Sequence, residues 1–153
     1  MQYSRIMGLD YGDVRVGIAL SDLSQTIASG LETYKCKNIE SDIKYIADLA
    51  KANNVSLFVI GLPLNMDGSH GARAEKTKVF GAALEEFSNI PVFYQDERLT
   101  SVEAEELLIS AGMRREKRKE VIDKVAATLI LESYLNSKAN GGMYGKMWTW
   151  LWP

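Results

Sequence analysis

Four acidic residues stand where a carboxylate could do chemistry. Asp10 closes the apolar run of residues 4–10. Asp96 and Glu97 follow the run of residues 91–95. Asp123 opens a helical pattern that carries Ala126, Ala127 and Ile130 on the same side. If these ends meet, the carboxylates repel one another and are costly to bury unpaired. A hard divalent cation resolves that conflict, because Mg2+ takes oxygen ligands and is commonly held by one or two carboxylates plus phosphate oxygens. Two such ions can bracket an in-line phosphodiester displacement. With one histidine, His70, and one cysteine, Cys36, zinc chemistry is disfavoured. Each acid also has an ordinary reading: Asp10 as a turn residue, Asp123 as the partner of a helix dipole, and Asp96-Glu97 as a solvated loop.

Basic residues accompany the acids. Arg15 follows the turn after Asp10, and Arg98 follows Glu97. A guanidinium at either place can fork onto a phosphate or pair with the neighbouring acids. The stretch Arg114-Arg115-Glu116-Lys117-Arg118-Lys119 holds five bases and one acid, a local +4 that leaves −6 for the rest of a chain of net charge −2. Such a run is either a solvated face or an arm that tracks a phosphate backbone. The net charge excludes a coat of positive charge over the whole surface, but a localised, metal-completed phosphate site is compatible with it. Gly8 and Gly12 flank Asp10, a spacing that allows close approach of a ligand and equally an ordinary hairpin. The glycine-rich loop 61–71 could line a substrate groove, and its His70 is either a general base or a plain loop histidine.

Positioning these residues falls to elements that can be read from periodicity. Residues 4–10, 14–20 and 27–35 predict a meander whose first turn is Tyr11-Gly12-Asp13. Ile39, Ile43, Ile46, Ala47 and Ala50 recur at helical spacing and predict a helix over 40–53. Residues 56–61 read as a strand buried on both faces. A helix over 71–88 carries Val79, Phe80, Ala83, Leu84 and Phe87 on one side, and 91–95 is a further strand. Thr100, with Glu103 three residues on, caps a helix ending at Gly112, and a last helix over 120–137 follows the charged stretch. The order βββαβαβαα implies an α/β fold: a five-stranded mixed sheet with helices on both faces. Right-handed crossovers place the ends of the first, fourth and fifth strands on one edge, where open α/β sheets bind ligands.

The chain of 153 residues, 46% hydrophobic and 25% charged, fits one ordinary domain and excludes disorder and coiled coil. Residues 1–138 are expected to form that domain and 139–153 a separate tail. The tail holds Trp148, Trp150 and Trp152, whose alternation fits a strand edge, a partner contact, base stacking or packing on the domain itself. No apolar run of about 18 residues is present, so no membrane helix is expected. Met1–Ile6 has no apolar leader pattern, and with a single cysteine the expected location is cytoplasmic.

Four ordered motifs resemble the YqgF/RuvX family, the Holliday junction resolvase-like proteins also described as pre-16S rRNA nucleases. They are GLDYGDVRVGIALSD (8–22), GLPLNMDGS (61–69), DERLTS (96–101) and DKVAATLILESYL (123–135). The resemblance implies an RNase H-like fold, in agreement with the element order. It implies a nuclease dependent on one or two Mg2+ or Mn2+ ions, with Asp10, Glu97 and Asp123 as the catalytic, metal-holding triad. Asp10 would bridge the ions, and Glu97 rather than Asp96 would be the ligand of the DER motif. Arg15, Arg98, Arg114, Arg115, Lys117, Arg118 and Lys119 are the expected substrate-binding residues. The expected substrate is structured nucleic acid, with RNA favoured: pre-16S rRNA during ribosome biogenesis, the ribosome or pre-rRNA being the partner, no membrane being involved, and the protein acting as monomer or homodimer. Two rivals stand beside it. One is a resolvase of four-way DNA junctions, which requires a symmetric dimer. The other is a non-catalytic nucleic-acid-binding ribosome-assembly factor.

Overall fold

The structure, a computed structural model, describes residues 3–97 and 100–140, the side chains of 100–102, 119, 120, 139 and 140 excepted. The elements follow the order β1 (Arg5–Tyr11), β2 (Arg15–Ser21), β3 (Ala28–Lys35), α1 (Ile39–Ala52), β4 (Val55–Leu62), α2 (Ala72–Ser88), β5 (Val92–Asp96), α3 (Thr100–Ser110) and α4 (Arg115–Asn140). The five strands form one sheet in the order β3-β2-β1-β4-β5. The meander β1-β2-β3 is antiparallel, whereas β4 and β5 run parallel to β1. The carboxyl ends of β1, β4 and β5 therefore share one edge, as the element order requires.

Strand alternation sorts the side chains into two cores. On one face Met7, Leu9, Val16, Ile18, Phe58 and Ile60 pack against α1 and α2 through Ile43, Ile46, Phe80 and Leu84. On the other, Ile6, Ala19 and Val59 pack against Ala127, Ile130, Leu131 and Leu135 of α4. Burying each such aliphatic side chain stabilises the fold by about 1.5–3 kcal/mol. The long helix α4 lies close to the sheet because β1, β2 and β3 each place a glycine beneath it. A Cβ on Gly8 would sit 2.8 Å from Leu131 Cβ, one on Gly30 would sit 2.7 Å from Lys124 Cγ, and one on Gly17 would collide with the Asp123 carbonyl. Gly8 thus serves the approach of a helix rather than of a ligand.

Two expectations change. First, α4 begins at Arg115 instead of 120, because Arg, Glu and Lys are good helix formers and neither Gly nor Pro interrupts 115–123. The chain stops instead at Gly112, whose φ of 75° ends α3 while Met113 N–H donates to Leu108 O. Asp123 consequently lies more than two turns inside α4, beyond the reach of the helix-terminal dipole. Second, α2 buries Ala74, Thr77, Phe80, Gly81 and Leu84, while Val79 and Phe87 are 62% and 57% exposed. Its helical neighbour is α1 and it lies mainly over β4 and β5, touching β1 through the Tyr11–Phe80 stack, so a narrow stripe is buried. The Trp-rich tail from 141 onward, Arg98 and the Thr100 side chain lie outside the described residues. Among those described, no helix is long and apolar enough to cross a membrane.

Candidate active site

The three sequence-predicted acids meet. Asp10 near the end of β1, Glu97 just after β5 and Asp123 on α4 line one open cleft of about 470 Å³ at the carboxyl edge of the sheet. The loop after β4 and the first residues of α2 complete it through Asn65, Gly71 and Arg73. Alternation along β1 fixes the direction of Asp10. Leu9 and Tyr11 face the α1/α2 core, where Tyr11 stacks on Phe80 with ring centroids 4.1 Å apart. Gly8 and Asp10 therefore face α4. The Asp123 side of α4 is also the buried side, since Ala126, Ala127 and Ile130 are each at most 1% exposed.

Glu97 owes its place to a glycine on the neighbouring strand. Its N–H donates to Leu62 O at 3.2 Å, which extends the β4–β5 pairing by one residue. Its carboxylate then lies over Gly61: a Cβ there would be 2.5 Å from Glu97 Cδ and from Ile130 Cδ1, and 2.6 Å from Glu97 Oε2. Asp96 falls on the other side of the strand and does not line the cleft.

Burial dominates the electrostatics. It raises Asp10 to about 7, helped by the charge of Asp123 and opposed by Arg73. It raises Glu97 to about 8, helped by Asp10, opposed by Arg73 and helped again by Asp96. Glu97 Oε2 is buried with no hydrogen-bond partner. Two carboxylates that resist ionisation, one of them carrying an orphaned oxygen, are an arrangement a cation relieves, and an all-oxygen donor set suits Mg2+ or Mn2+. The fit is closest for Asp10 and Glu97. Among the described residues no three His, Cys, Asp or Glu side chains are grouped tightly enough to hold one ion. Asp123 is instead engaged by Arg15, whose Nε donates to Oδ2 at 3.0 Å. Asp10, Glu97 and Asp123 are the carboxylates of the cleft, and of the three Asp123 is the one paired with Arg15.

The basic residues divide. Arg15 takes the ion-pair alternative. Arg118 turns inward: its Nη1 donates to Met113 O at 3.0 Å, and its Nε, buried without a hydrogen-bond partner, lies 3.8 Å from Glu105. It braces the α3–α4 corner. Arg114, Arg115 and Lys117 are exposed, and Arg114 and Lys117 border a shallow hollow beside Gly112 and Met113, apart from the carboxylate cleft. From Arg115 to Asp123 is roughly 12 Å along the helix axis. Bases crowded at a helix N-terminus oppose the macrodipole, a local cost consistent with a role in binding. Arg98 and the Lys119 side chain are outside the described residues. His70 is exposed beside Lys78 Nζ and Glu75 and does not line the cleft.

Arg73 is the residue that sequence reading missed. It stands in the first turn of α2, far in sequence from every acid, and only the crossover from β4 brings it to the cleft. The available signal was a base in the first turn of a helix that follows a strand-ending loop. Lys76, one turn on, ties this end of α2 to the β1–β2 hairpin through Asp13 at 2.7 Å.

Fold and site together define an α/β domain of the RNase H-like class, the fold of junction resolvases. The chain is similar to RuvC of T. thermophilus in complex with a Holliday junction substrate, with a TM-score of 0.56, 11% identity, and coverage of 90% of this chain and 96% of that one. It is similar to the fowlpox virus resolvase in complex with Holliday junction DNA, with a TM-score of 0.55, 15% identity, and coverage of 87% and 97%. At such identities the likeness is one of fold. The chain itself belongs to the RuvX family, whose model, described as Holliday junction resolvase, matches residues 4–137. A relative from Caldanaerobacter subterraneus subsp. tengcongensis, provisionally named pre-16S rRNA nuclease, is 50% identical over 137 residues, 89% of this chain and 99% of the relative. One of the same name from Streptococcus equi subsp. zooepidemicus is 51% identical over 135 residues, covering 86% and 97%.

Proposed function

We propose that this chain is a divalent-metal-dependent endonuclease that hydrolyses phosphodiester bonds in structured RNA, with pre-16S rRNA as its substrate and the cytoplasm as its place of action. The observation that carries the reading is the convergence of Asp10, Glu97 and Asp123 from three separate elements on one cleft, with Glu97 Oε2 buried and unpartnered. The names of the relatives in Caldanaerobacter and Streptococcus support the RNA substrate.

Asp10 and Glu97 would hold the ion, Mg2+ or Mn2+, with Asp123 joining once released by Arg15. When bound, such an ion lowers the pKa of water and stabilises charge on phosphate oxygens. The chain's own groups do the rest. The sheet edge holds Asp10 and Glu97 on a rigid floor, so little reorganisation of these two accompanies charge development. Gly61 leaves the volume that the Glu97 carboxylate occupies. Arg15, released from Asp123, is free to fork onto a phosphate oxygen. The exposed Arg114, Arg115 and Lys117 track the backbone of a bound helix beyond the cleft.

The test is cleavage of a pre-16S rRNA mimic, a four-way DNA junction and a plain duplex by the wild-type chain and by Asp10→Asn, with Mg2+ or Mn2+. Cleavage of the RNA by wild type and its loss in Asp10→Asn are expected; equal cleavage by both removes the mechanism. The likeness to RuvC bound to a Holliday junction favours one second reading, a junction resolvase. Symmetric cutting of the four-way junction by a dimer would select it, and a strict monomer that ignores junctions would exclude it.

A further inference from the structure

The cleft is built from both layers of the domain. Asp123 reaches it from α4 on one face of the sheet, and α2 reaches it from the other face. Of the described residues that line it, Arg73 alone is cationic. Of the other nearby bases, Lys76 is paired with Asp13 and Arg118 with Met113 O, while Arg15 stands on the Asp123 side of the cleft, paired with that acid until an ion draws it away. A phosphodiester entering among three carboxylates meets repulsion unless positive charge waits on its far side. A guanidinium is suited to that place, because it stays charged and its planar fork matches two phosphate oxygens.

We infer that Arg73 is a phosphate-positioning residue of this site, holding a backbone phosphate of the nucleic-acid strand against the α2 wall of the cleft, opposite Asp123. The inference rests on the nuclease reading above. Its geometry is backed by two further facts. Arg73 is exposed, so its guanidinium is accessible to a ligand. It lines the same cleft as Asp10, Glu97 and Asp123 and enters it from a different element, the first turn of α2. Its backbone is also well fixed. Gly71 precedes the helix, and the space a Cβ would fill there is taken by the Asn65 amide, at 3.2 Å for Oδ1, so the loop after β4 seats the start of α2. A strand crossing the sheet edge would thus touch Arg73 in one layer and the α4 bases in the other.

The competing role is a plain counter-charge for the buried acids, and binding measurements separate the two. The full chain is titrated with a fluorescent RNA stem-loop in EDTA at several salt concentrations, and separately with Mn2+ in the absence of RNA. For a phosphate contact, Arg73→Ala weakens RNA binding by about 5–20-fold and reduces the salt slope by roughly 0.7–0.9. Arg73→Lys recovers part of the affinity, because the charge returns without the fork. Lys44→Ala on α1, where Lys44 pairs with Asp48 away from the cleft, leaves RNA binding unchanged. In cleavage assays with Mn2+ the Arg73 variants raise KM more than they lower kcat. Unchanged RNA affinity and salt slope in Arg73→Ala, with tighter Mn2+ binding, would overturn the inference and assign Arg73 to charge balance. A wild-type chain that binds neither the RNA nor a DNA junction would instead overturn the nuclease reading on which it depends. Melting curves of each variant guard against loss of fold, and Arg73→Gln serves if the alanine variant does not fold.

Discussion

A methyl group at Gly61 tests the geometry of the site without touching any charge. In Gly61→Ala the new carbon would lie 2.5 Å from Glu97 Cδ, whereas ordinary van der Waals contact begins at 3.4 Å, so the carboxylate must retreat by about 0.9 Å. Misplacing a catalytic group by about 1 Å costs on the order of 10²-fold in rate. The fold should absorb the change. Ile130 Cδ1, the other close atom, is the far end of a flexible side chain. Overpacking costs about 1–3 kcal/mol, and alanine returns about 0.5–1 kcal/mol of the entropy that glycine loses in a strand. A net loss of about 0–2.5 kcal/mol lowers Tm by at most ~10 °C at this chain length. Cleavage of a stem-loop RNA should therefore fall about 100-fold while the melt remains cooperative and Mn2+ binding weakens. A variant that cleaves within about threefold of wild type would refute the placement of Glu97 over Gly61.

The same geometry has further measurable consequences. Asp10 and Glu97 bind their protons more tightly when folded, so the stability this contributes is complete below about pH 4 and is lost as pH rises through 7 to 8. The metal-free Tm should fall over that interval in a pH series, and added Mn2+ at pH 8 should restore it. Asp10→Asn removes one buried charge. It should raise the metal-free Tm at pH 8 by ~2–4 °C for each 1 kcal/mol of relief and blunt the response to Mn2+ in the same melts. Gly17→Ala drives a side chain into the backbone of α4 and should cost about 3 kcal/mol or more in urea unfolding; wild-type stability would mean that α4 is not seated on β2 at Asp123. Arg118→Met should cost about 1–2 kcal/mol by loss of its bond to Met113 O and leave RNA affinity within twofold, whereas Lys117→Ala should weaken RNA binding at unchanged Tm.

Local periodicity carried most of the architecture. The apolar runs around Leu9, Ile18 and Val59 and the helical spacing of Ile43, Ile46 and Ala50 are short-range signals, and all five strands and the four helices appear where such signals stand. The parallel placement of β4 and β5 followed from the handedness of crossovers, so the meeting of Asp10, Glu97 and Asp123 was legible as well. The small face Ala126-Ala127-Ile130 pointed Asp123 towards the strands, and it is buried there. Helix boundaries were less legible. A run of Arg, Glu and Lys between two helices has no apolar periodicity, yet its propensity is helical, and α4 absorbs it.

Tertiary structure decided the identity of partners. Nothing local distinguishes an arginine that meets a phosphate from one that meets a carboxylate or a carbonyl, because the long side chain takes whichever acceptor the fold brings near. Arg15 is given to Asp123 across 108 residues, Arg118 to the carbonyl of Met113, and Arg73 to the cleft itself. The same holds for the raised proton affinity of Asp10 and Glu97, whose main cause is burial by elements distant in the chain. Residue types and their order determined an α/β sheet with three acids at one edge. Only the packing of α4 and α2 against that sheet settled which charges face one another there, since desolvation and Coulomb energy depend on distances in space and not on spacing along the chain.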